Sequence, residues 1–440
     1  MKHCPSAFPE AETVNLDYEG RAVARPDGKT VFIEGALGGE RVSFRITREQ
    51  KGFAEAEVQS ILRPSEYRRR PPCPHFGVCG GCALQHLDDA AQTAVKQRIA
   101  EEQLARIGKV RPEQILPPIY GTAWRYRQRG RLAVSQQNGK LHLGFQAKKS
   151  HETADITRCP VLPEAMEATL PVLKQHLQPL AADLKLRFVE FALGENRFAL
   201  NLGTAKPPKP FQTALLEEMR RILQKSGQNW QIWLQNGRQT PQLLLPEQDE
   251  LPYYRLPDFN ITMPFRPGDF TQVNAATNAL MVARAVRLLD VQPEETVADL
   301  FCGLGNFTLP LSKHSRKVIA VEGLAALTER ARRNAELNGC QGIEFATADL
   351  FAADKNTVAA WGKIDKMLLD PPRAGAYALI QALHAPYLPQ RIVYVSCNPA
   401  TFARDAAVLM GKGYRFTQFG VMNLFPQTAH IESIGVFELA

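Results

Sequence analysis

The sequence predicts an α/β protein of three domains: a small β-barrel at the N-terminus, a central α+β domain and a Rossmann-like domain at the C-terminus. Short strands separated by turn residues fill positions 13–62, strand pairs and helices follow, and apolar strands alternate with helices from residue 265 onward. A chain of 440 residues is long enough for two or three domains, each with its own core. The predicted domain limits are 1–67, 68–262 and 263–440.

The N-terminal segment has the pattern of a small barrel. Asp27 and Gly28 lie between two β-rich runs, which is a strong signal for a hairpin. Five short strands in about fifty residues are typical of small barrels, a shape often used to hold oligonucleotides. The basic, proline-broken stretch SEYRRRPP at 65–72 then predicts a domain boundary.

The central region combines helices with strand pairs. Residues 90–108 have helical periodicity that ends at Gly108. The residue pairs at 138–139 and 195–196 lie at the tips of hairpins, which predicts an antiparallel sheet. The arginines of 125-RYRQRGR-131 alternate along one strand beside aromatic residues. They form either a solvated sheet face or a surface that follows phosphates next to stacking rings.

The C-terminal strands are apolar throughout, as in KVIAVE and RIVYVS. Such strands suit a parallel sheet that is covered by helices on both faces. A sheet of this kind binds its ligands at the carboxyl ends of the strands. We therefore expect the functional residues of this domain at the ends of its strands.

Composition and charge narrow the class of protein. A formal charge of +8 and a pI near 9.0 favour an anionic partner, although many basic proteins bind no nucleic acid. No segment has the ~18 consecutive apolar residues of a membrane helix, and the first twelve residues lack a signal-peptide core. We expect a cytoplasmic protein with no membrane contact and no obligate protein partner. Eight cysteines without a secretion signal argue against a disulfide scaffold.

A cofactor site is predicted at the loop 301-FCGLGNF-307, whose two glycines let a ligand approach the backbone closely. The next strand ends in Glu322, where an acid can accept both ribose hydroxyls of an adenosyl ligand. Two further strands end in Asp349 and Asp370, so three carboxylates converge on one crevice. Because the loop has neither G-x-G-x-x-G nor a P-loop lysine, it does not suit a pyrophosphate. S-adenosylmethionine fits; the alternative is a set of tight turns with capping acids.

The stretch DPPR at 370–373 is similar to the [DN]PP[YF] loop of amino-methyltransferases, but it lacks the aromatic residue that stacks on the base. The chemistry should therefore differ. A pyrimidine carbon is a poor nucleophile, and a thiolate that adds to C6 activates C5 for methylation. A base must then remove the C5 proton so that the thiolate can leave.

Cys397 and Glu432 are the residues that suit this chemistry. Cys397 ends the strand RIVYVS just before a helix that begins near Pro399 and can help to activate a thiol. Glu432 stands alone among apolar residues at the start of a later strand. The alternatives are a packed core thiol for Cys397 and an edge-strand charge for Glu432.

The sequence resembles the bacterial RNA uracil-C5 methyltransferases, and among them the enzymes that modify 23S ribosomal RNA. The resemblance spans nearly the whole chain and is carried by the following stretches: 299-DLFCGLGNFTLPL-311, 370-DPPRAG-375, 394-YVSCNPATFARD-405 and 428-TAHIES-433. It implies that Cys397 is the nucleophile and Glu432 the base, that the barrel is a TRAM domain and that the family site is uracil-1939. The S-adenosylmethionine contacts that it implies are Gln272, Phe301, Asn306, Glu322, Asp349 and Asp370.

The cysteine cluster 73-CPHFGVCGGC-82 points to a metal site. Cys73, Cys79 and Cys82 have C-x5-C-x2-C spacing, and Cys159 before Pro160 is the fourth candidate ligand. The spacing leaves both zinc and an iron–sulfur cluster open, although a zinc ribbon usually shows two close pairs. The resemblance implies a [4Fe–4S] cluster with a structural role, since methylation of uracil needs no electron.

Three other functions compete with this interpretation. The same chemistry could act on transfer RNA or on another ribosomal uridine, but the related tRNA enzymes lack both the cysteine cluster and the barrel. A non-catalytic RNA-binding or rRNA-folding factor would not need Cys397, Glu432 and the cofactor acids. A redox sensor built on the cysteine cluster would lose or gain activity when the cluster is oxidised.

Overall fold

The computed structural model describes residues 8–440, and the predicted α/β class with an N-terminal barrel and a Rossmann-like C-terminal domain is confirmed. Cys4 and part of the segment inspected for a signal peptide lie outside the described residues. The predicted domain limits stay predictions.

The N-terminal strands close into a barrel in the order β1-β2-β3-β5-β4. Its strands are β1 (Glu10–Leu16), β2 (Ala22–Ala24), β3 (Thr30–Glu34), β4 (Arg41–Glu49) and β5 (Phe53–Arg63). The predicted hairpin joins β2 to β3, and Asp27 and Gly28 both have positive φ, +50° and +81°, as the tight turn requires. Small and apolar side chains such as Ala22, Ile33 and Phe44 fill the barrel.

The central region begins with a long helix and continues with a six-stranded sheet in the order β12-β11-β10-β9-β7-β8. Its elements are α1 (Asp89–Gln103), β6 (Gln114–Ile115), β7 (Arg129–Gln137), β8 (Lys140–Gly144), α2 (Glu164–Glu167), α3 (Leu170–Leu177), α4 (Ala181–Leu184), β9 (Phe188–Leu193), β10 (Phe198–Thr204), α5 (Pro210–Gln224), β11 (Trp230–Asn236) and β12 (Gln242–Leu245). Both predicted hairpin tips are present, between β7 and β8 and between β9 and β10.

The prediction of a purely antiparallel central sheet is wrong at one pair. Strands β10 and β11 run parallel, with Phe198 opposite Trp230. Helix α5 lies between them in the chain, and a crossover helix returns the chain to the same end of the sheet. The hydrophobic face of α5, which includes Leu216 and Met219, packs into the core beneath this sheet.

The C-terminal region forms an eight-stranded sheet in the order β17-β16-β15-β18-β19-β21-β20-β6. Its elements follow the hairpin of β13 (Tyr253–Leu256) and β14 (Ile261–Pro264), and they are α6 (Ala275–Leu289), β15 (Thr296–Leu300), α7 (Thr308–Ser312), β16 (Lys317–Glu322), α8 (Ala325–Leu337), β17 (Ile343–Thr347), α9 (Lys355–Ala360), β18 (Lys366–Leu369), α10 (Tyr377–Ala382), β19 (Arg391–Ser396), α11 (Pro399–Gly411), β20 (Tyr414–Met422) and β21 (Glu432–Leu439). The first five strands of the order are parallel, so their carboxyl ends share one edge.

Two elements of the central region, strand β6 and helix α1, pack with this C-terminal sheet. The short strand β6 pairs with β20 at the sheet edge, and Ile99 and Leu104 in and just after α1 join its hydrophobic core. Helix α1 of the central region therefore packs against the C-terminal sheet. No helix among the described residues is long and apolar enough to cross a membrane.

Candidate active site

The side chains predicted to carry the chemistry meet at the carboxyl edge of the eight-stranded sheet. Cys397 directly follows β19, and Asp370 directly follows the neighbouring strand β18. Glu432 is the first residue of β21, which runs antiparallel to β19. Because Ser396 pairs with Ser433, the next positions along the two strands bring Cys397 and Glu432 opposite each other.

These groups influence each other's ionisation. Burial, together with the charges of Glu432 and Asp370, raises the pKa of Cys397 to about 12, whereas Arg373 acts in the opposite direction. Burial and the charge of Asp370 raise the pKa of Glu432 well above its ordinary value, and Glu432 is only 3% exposed. Both raised pKa values favour the protonated forms of the Cys397 thiol and the Glu432 carboxyl in the free site. Groups with shifted pKa values that can give up a proton during a reaction are typical of active sites.

The position of Cys397 is fixed by the start of a helix. Asn398 caps α11 by accepting a hydrogen bond from the backbone N–H of Ala400 at 3.1 Å, and Pro399 occupies the first turn. The predicted helix after the thiol is thus present. Since β19 ends and α11 begins within two residues, Cys397 is held between two rigid elements.

The loop after Asp370 is anchored to the same helix. Gly375 has a φ of +78°, and a side chain there would lie 2.5 Å from Oδ2 of Asp405. Asp405 is fully buried and accepts hydrogen bonds from the backbone N–H of Ala376 and from the hydroxyl of Tyr394, both at 2.7 Å. This glycine is therefore required for the close approach of the loop to α11.

Arg373 of the same loop lies on the open side of the site. Its guanidinium donates to Nδ1 of His430 at 2.8 Å, and its backbone carbonyl accepts from the amide of Asn398 at 3.0 Å. Because Arg373 lowers the pKa of Cys397, it partly opposes the carboxylates that face the thiol. Arg373, which stands where the amino-methyltransferase motif has an aromatic residue, thus contributes a positive charge beside the thiol.

An open groove of about 570 Å³ leads from this edge toward the N-terminal barrel. Its lining includes Tyr18 and Arg21 near the barrel, Lys148 and Lys149 of the central region, and Cys397 itself. Basic and aromatic side chains along a groove suit the backbone and bases of a single-stranded nucleic acid. A strand that follows this groove can reach the thiol.

The glycine loop and Glu322 form one half of the candidate cofactor site. The carboxylate of Glu322 accepts hydrogen bonds from the backbone N–H groups of Gly303 at 3.1 Å and Leu324 at 3.0 Å. Phe301 begins the loop with a φ of +64°, which is uncommon for a residue with a side chain, and its ring lies 5.6 Å from that of Phe351. The loop is thus bent against the end of β16.

The remaining predicted cofactor contacts flank this loop. Asn306 and Asn278 exchange two amide hydrogen bonds of 2.9 and 3.0 Å, and the hydroxyl of Tyr254 donates to Asn306 at 2.8 Å. Gln272 lines a small cleft with Asn278 and Tyr254. Asp349 is exposed and accepts from the backbone N–H of Phe351 at 2.9 Å. Five of the six predicted positions therefore lie at the carboxyl ends of the strands or in the loops that follow them, and Gln272 lies in the segment before α6.

Sequence reasoning missed Asp299, the polar residue inside the apolar strand β15. Asp299 is fully buried, and one of its oxygens accepts from the hydroxyl of Thr308 at 2.5 Å. Its other oxygen has no hydrogen-bond partner in the part of the chain that the structure describes. Burial raises its pKa to about 7, and its charge also raises the pKa of Asp370. A lone carboxylate within TVADL was the available signal.

The four cysteines of the predicted metal site are neighbours. Burial, followed by the charges of Cys82, Cys73 and Cys79, raises the pKa of Cys159 to about 12. Burial raises the pKa of Cys82 to about 11, with Cys79 and Cys73 contributing. None of the described cysteines forms a disulfide. No set of three His, Cys, Asp or Glu side chains among the described residues is arranged to hold a single metal ion.

Hydrogen bonds hold both parts of this cysteine group. The backbone N–H of Gly80 donates to the carbonyl of Gln146 at 2.9 Å, which ties the cysteine segment to the chain after β8. The backbone N–H of Cys159 donates to the carboxylate of Glu167 at 2.7 Å. The fold therefore brings the distant Cys159 to the other three cysteines.

The arginines of 125–131 do not form one free face. Arg129 and Arg131 both reach the buried carboxylate of Glu190, at 3.0 and 3.6 Å. The guanidinium of Arg131 also lies 4.2 Å from the ring centroid of Phe188, and half of its side chain is exposed. Neither a fully solvated sheet face nor a free phosphate-binding surface describes these arginines, because the buried carboxylate of Glu190 neutralises part of their positive charge.

Comparisons with known proteins agree with this architecture. A family model described as tRNA (Uracil-5-)-methyltransferase matches residues 118–439, and a TRAM-domain model matches residues 12–59. The solved structure of the Pyrococcus abyssi tRNA (uracil-54, C5)-methyltransferase in complex with S-adenosyl-L-homocysteine has a TM-score of 0.72, covering 97% of this chain and 99% of that chain. At 24% identity it shows that the fold is shared, and because the match spans nearly the whole chain, the barrel included, the expectation that the related tRNA enzymes lack the barrel is wrong for this enzyme.

Relatives of higher identity match nearly the whole chain. The Neisseria lactamica (strain 020-06) protein named 23S rRNA (uracil(1939)-C(5))-methyltransferase RlmD is 51% identical over 437 residues, which cover 98% of this chain and 95% of the relative. A protein of the same name from Aromatoleum aromaticum is 45% identical and covers 98% of this chain and 100% of the relative. The resemblance seen in the sequence is therefore confirmed, and the chain belongs to the family of uracil-C5 RNA methyltransferases.

Proposed function

We propose that this chain transfers a methyl group from S-adenosylmethionine to C5 of a uracil in 23S ribosomal RNA, at the position numbered 1939 in the names of its relatives. The observation that carries the proposal is the opposition of Cys397 and Glu432 at the sheet edge where the cofactor acids also end. The names of relatives at 51% and 45% identity support ribosomal RNA as the substrate. The cytoplasm, where ribosomes are found, is the proposed location.

Cys397 is the nucleophile in this proposal. Its thiol gives its proton to solvent water, and the thiolate adds to C6 of the uracil, which forms the S–C6 bond and places the displaced electron pair on C5 and the O4 carbonyl. S-adenosylmethionine supplies an electrophilic methyl group on its sulfonium. C5 takes that methyl group, the electron pair of the broken S–CH3 bond stays on the sulfur of the departing S-adenosylhomocysteine, and the product is a 5-methylated adduct that is still bonded to Cys397.

Glu432 is the base that ends the reaction. Its carboxylate takes the proton from C5, the C5–H electron pair becomes the C5=C6 double bond, and the C6–S pair returns to Cys397. Because burial and Asp370 raise the pKa of Glu432, its carboxylate is a stronger base than an exposed glutamate. The methylated base is then released.

The cofactor residues proposed for binding are the six predicted positions, five of them at the carboxyl ends of the strands or in the loops that follow. Glu322 is placed by the glycine loop to accept the ribose hydroxyls, in agreement with an acid at the end of the second strand. Phe301 offers an apolar face beside Phe351. Asp370 acts on the pKa of Cys397 and therefore lies on the thiol side, where the methyl group is transferred, and Gln272 and Asn306 complete the proposed set.

The groove is the proposed path of the RNA. It runs from the barrel, the part matched by the TRAM model, to Cys397. A uracil has to leave its stack to reach a thiol at the end of this groove, so the enzyme acts on a base that is flipped out of folded RNA. Lys148 and Lys149 beside the groove both pair with the carboxylate of Glu34, so their positive charge is available to phosphates only in part.

We propose that Cys73, Cys79, Cys82 and Cys159 bind a [4Fe–4S] cluster. Their thiols lie close enough for the charge of one to raise the pKa of another. Three clustered cysteines and one distant cysteine followed by a proline are typical of cluster-binding ferredoxins, whereas a zinc ribbon usually shows two close pairs. Four thiols without disulfides, of which Cys159 is buried and the other three are half-buried, match its need for four thiolates.

The proposal is tested with a 23S ribosomal RNA fragment that carries 5-fluorouridine at the target position. Fluorine cannot leave C5 as a proton, so the methylated base should stay bonded to the protein in an adduct that survives SDS. We expect the adduct with the wild-type protein and S-adenosylmethionine, and none with Cys397→Ala.

An adduct with a tRNA fragment but not with the 23S fragment would refute ribosomal RNA as the substrate. An adduct that persists in Cys397→Ala would refute the assignment of the nucleophile. A folded variant is required for this control, and its thermal unfolding should match that of the wild type.

A further inference from the structure

The segment between β20 and β21, residues 423–431, is a buried loop that ends at Glu432; we refer to it as the base loop. Asn423, Leu424, Gln427 and Ile431 are each at most 4% exposed. Loops usually lie on the surface because buried backbone groups must find hydrogen-bond partners within the protein. The partners of this loop are side chains and backbone groups from distant parts of the chain.

Gln427 is the centre of these contacts. It has a φ of +68°, and its amide oxygen and backbone N–H bond to the side-chain amide of Gln92 at 2.9 and 2.8 Å. Its amide nitrogen donates to the carboxylate of Asp89 at 2.6 Å. Its backbone carbonyl accepts from the N–H groups of Ala83 and Leu84 at 2.8 and 2.9 Å. Gln427 thus links the base loop to α1 and to the two residues that follow Cys82.

Lys96 and Tyr126 hold the first half of the loop. The ammonium of Lys96 is almost fully buried and donates to the side chain of Asn423 and to the carbonyl of Phe425, both at 2.8 Å. The hydroxyl of Tyr126 donates to the carbonyl of Pro426 at 2.7 Å. Burying an ammonium costs free energy that these two hydrogen bonds only partly return. A purely apolar side chain would fill the same space at lower cost.

We propose that Lys96, Tyr126 and Gln427 are positioning residues that hold Glu432 in place for removal of the C5 proton. The inference rests on the base role proposed for Glu432. The segment that carries Cys73, Cys79 and Cys82 also takes part in this positioning, because Ala83 and Leu84 donate hydrogen bonds to the base loop. Its role is then structural, in a reaction that transfers no electron. The loop reaches Glu432 only five residues after Gln427, so a shift of the loop moves the carboxylate.

The inference makes a prediction that a general structural role does not make. Glu432 acts only after the methyl group has been transferred, so a displaced carboxylate slows the last step and leaves the earlier steps intact. The adduct in which Cys397 is bonded to the methylated uracil then accumulates with ordinary uridine. A variant that merely destabilises the fold lowers adduct formation and methyl transfer together.

The test compares Lys96→Met and Tyr126→Phe with Glu432→Gln in single turnovers on an unmodified 23S ribosomal RNA fragment. Adduct is measured on SDS gels with methyl-labelled S-adenosylmethionine, and stability is measured by thermal unfolding. We expect release to slow about tenfold in Lys96→Met, since small displacements of a reacting group are costly. In Tyr126→Phe, which loses one hydrogen bond, we expect about threefold.

Tyr414→Phe is the matched control. Tyr414 is also buried, and its hydroxyl donates to the carbonyl of Pro389 at the same distance of 2.7 Å, outside the base loop. The control should lose similar stability and release product at the wild-type rate. Accumulation of adduct in Tyr414→Phe equal to that in Tyr126→Phe would overturn the positioning role.

Glu432→Gln separates the two proposals. Adduct in Glu432→Gln but none in Lys96→Met and Tyr126→Phe would overturn the positioning role alone. No adduct in Glu432→Gln, with methyl transfer and release both intact, would overturn the assignment of the base and the positioning role with it.

Discussion

The carboxyl edge of the eight-stranded sheet around Cys397, which we call the nucleophile edge, and the group of four cysteines around Cys159 both contain thiols of raised pKa, but the partners of these thiols differ. The pKa is about 12 for Cys397 and about 12 for Cys159, and burial is the largest cause in each case. Beyond burial, carboxylates and an arginine act on Cys397, whereas other thiols act on Cys159. The raised pKa alone therefore does not distinguish a nucleophile from a ligand; the neighbouring groups do.

The two regions also differ in how they are built. Cys397 is held by the end of β19 and the start of α11, so its position follows from regular structure. The cysteine group is held by a loop and by Cys159, which lies far away in the sequence. A site on regular elements can survive the loss of its own side chain, whereas a site made of loops depends on its ligands for its shape.

The largest expected effect is the loss of the nucleophile. Cys397→Ala should reduce methylation by about 10⁴-fold or more, because no other group can bond to C6, while the fold is retained. Methyl transfer from labelled S-adenosylmethionine to 23S ribosomal RNA measures this. Cys340→Ala is the control, since this half-buried thiol packs at the margin of the hydrophobic core and bonds to backbone carbonyls at 3.9 Å. A loss of activity in Cys340→Ala as large as in Cys397→Ala would undermine the assignment.

The opposite pattern is expected for the cysteine group. Cys159→Ser should lower the iron content of the purified protein and reduce its melting temperature by about 5–10 °C, because ligand binding is coupled to folding. Iron and sulfide analysis, with the absorbance spectrum, measures the cluster directly. Cys397→Ser should keep the full iron content. Full iron content in Cys159→Ser, or zinc in place of iron in the wild type, would refute the proposed cluster.

A smaller effect is expected at the cofactor half of the nucleophile edge. Glu322→Gln should weaken S-adenosylmethionine binding by about 10- to 100-fold, because hydrogen bonds to a charged acceptor are stronger than those to an amide. Calorimetric titration measures this affinity. Glu344→Gln, at an exposed position of β17, is the matched control and should bind as the wild type does. Equal affinities of both variants would remove Glu322 from the site.

Much of this edge could be predicted because its signals are local. Cys397 and Glu432 stand at the end and the start of apolar strands, and Glu322 stands at the end of another. The parallel strand order converts these separate signals into one site. The barrel was predictable for the same reason, since turn residues mark each of its strands.

Other features depend on contacts between distant residues, which no local pattern contains. Helix α1 has an ordinary helical sequence, and nothing in it indicates that Lys96 bonds to Asn423, more than three hundred positions away. The parallel pairing of β10 with β11 follows from the path of α5 across the sheet. The carboxylate that binds Arg129 and Arg131, Glu190, belongs to a strand about sixty residues later.

The smallest expected effect concerns the buried Asp299 and its dependence on pH. Burial raises its pKa from the ordinary value of 3.8 to about 7, so the folded protein favours the protonated carboxyl. Its contribution to stability is therefore fully present below about pH 4 and is lost as the pH rises toward 7. Asp299→Asn should reduce the fall in unfolding free energy between pH 5 and pH 7 by about 1–2 kcal/mol. Urea unfolding at several pH values measures this difference.

Asp258→Asn, an exposed carboxylate on the loop before β14, should leave the pH dependence unchanged. If the unfolding free energy of Asp299→Asn depended on pH as that of the wild type does, Asp299 would be ionised in the folded protein. The nucleophile edge and the cysteine group would then no longer share the property of keeping their buried acids neutral.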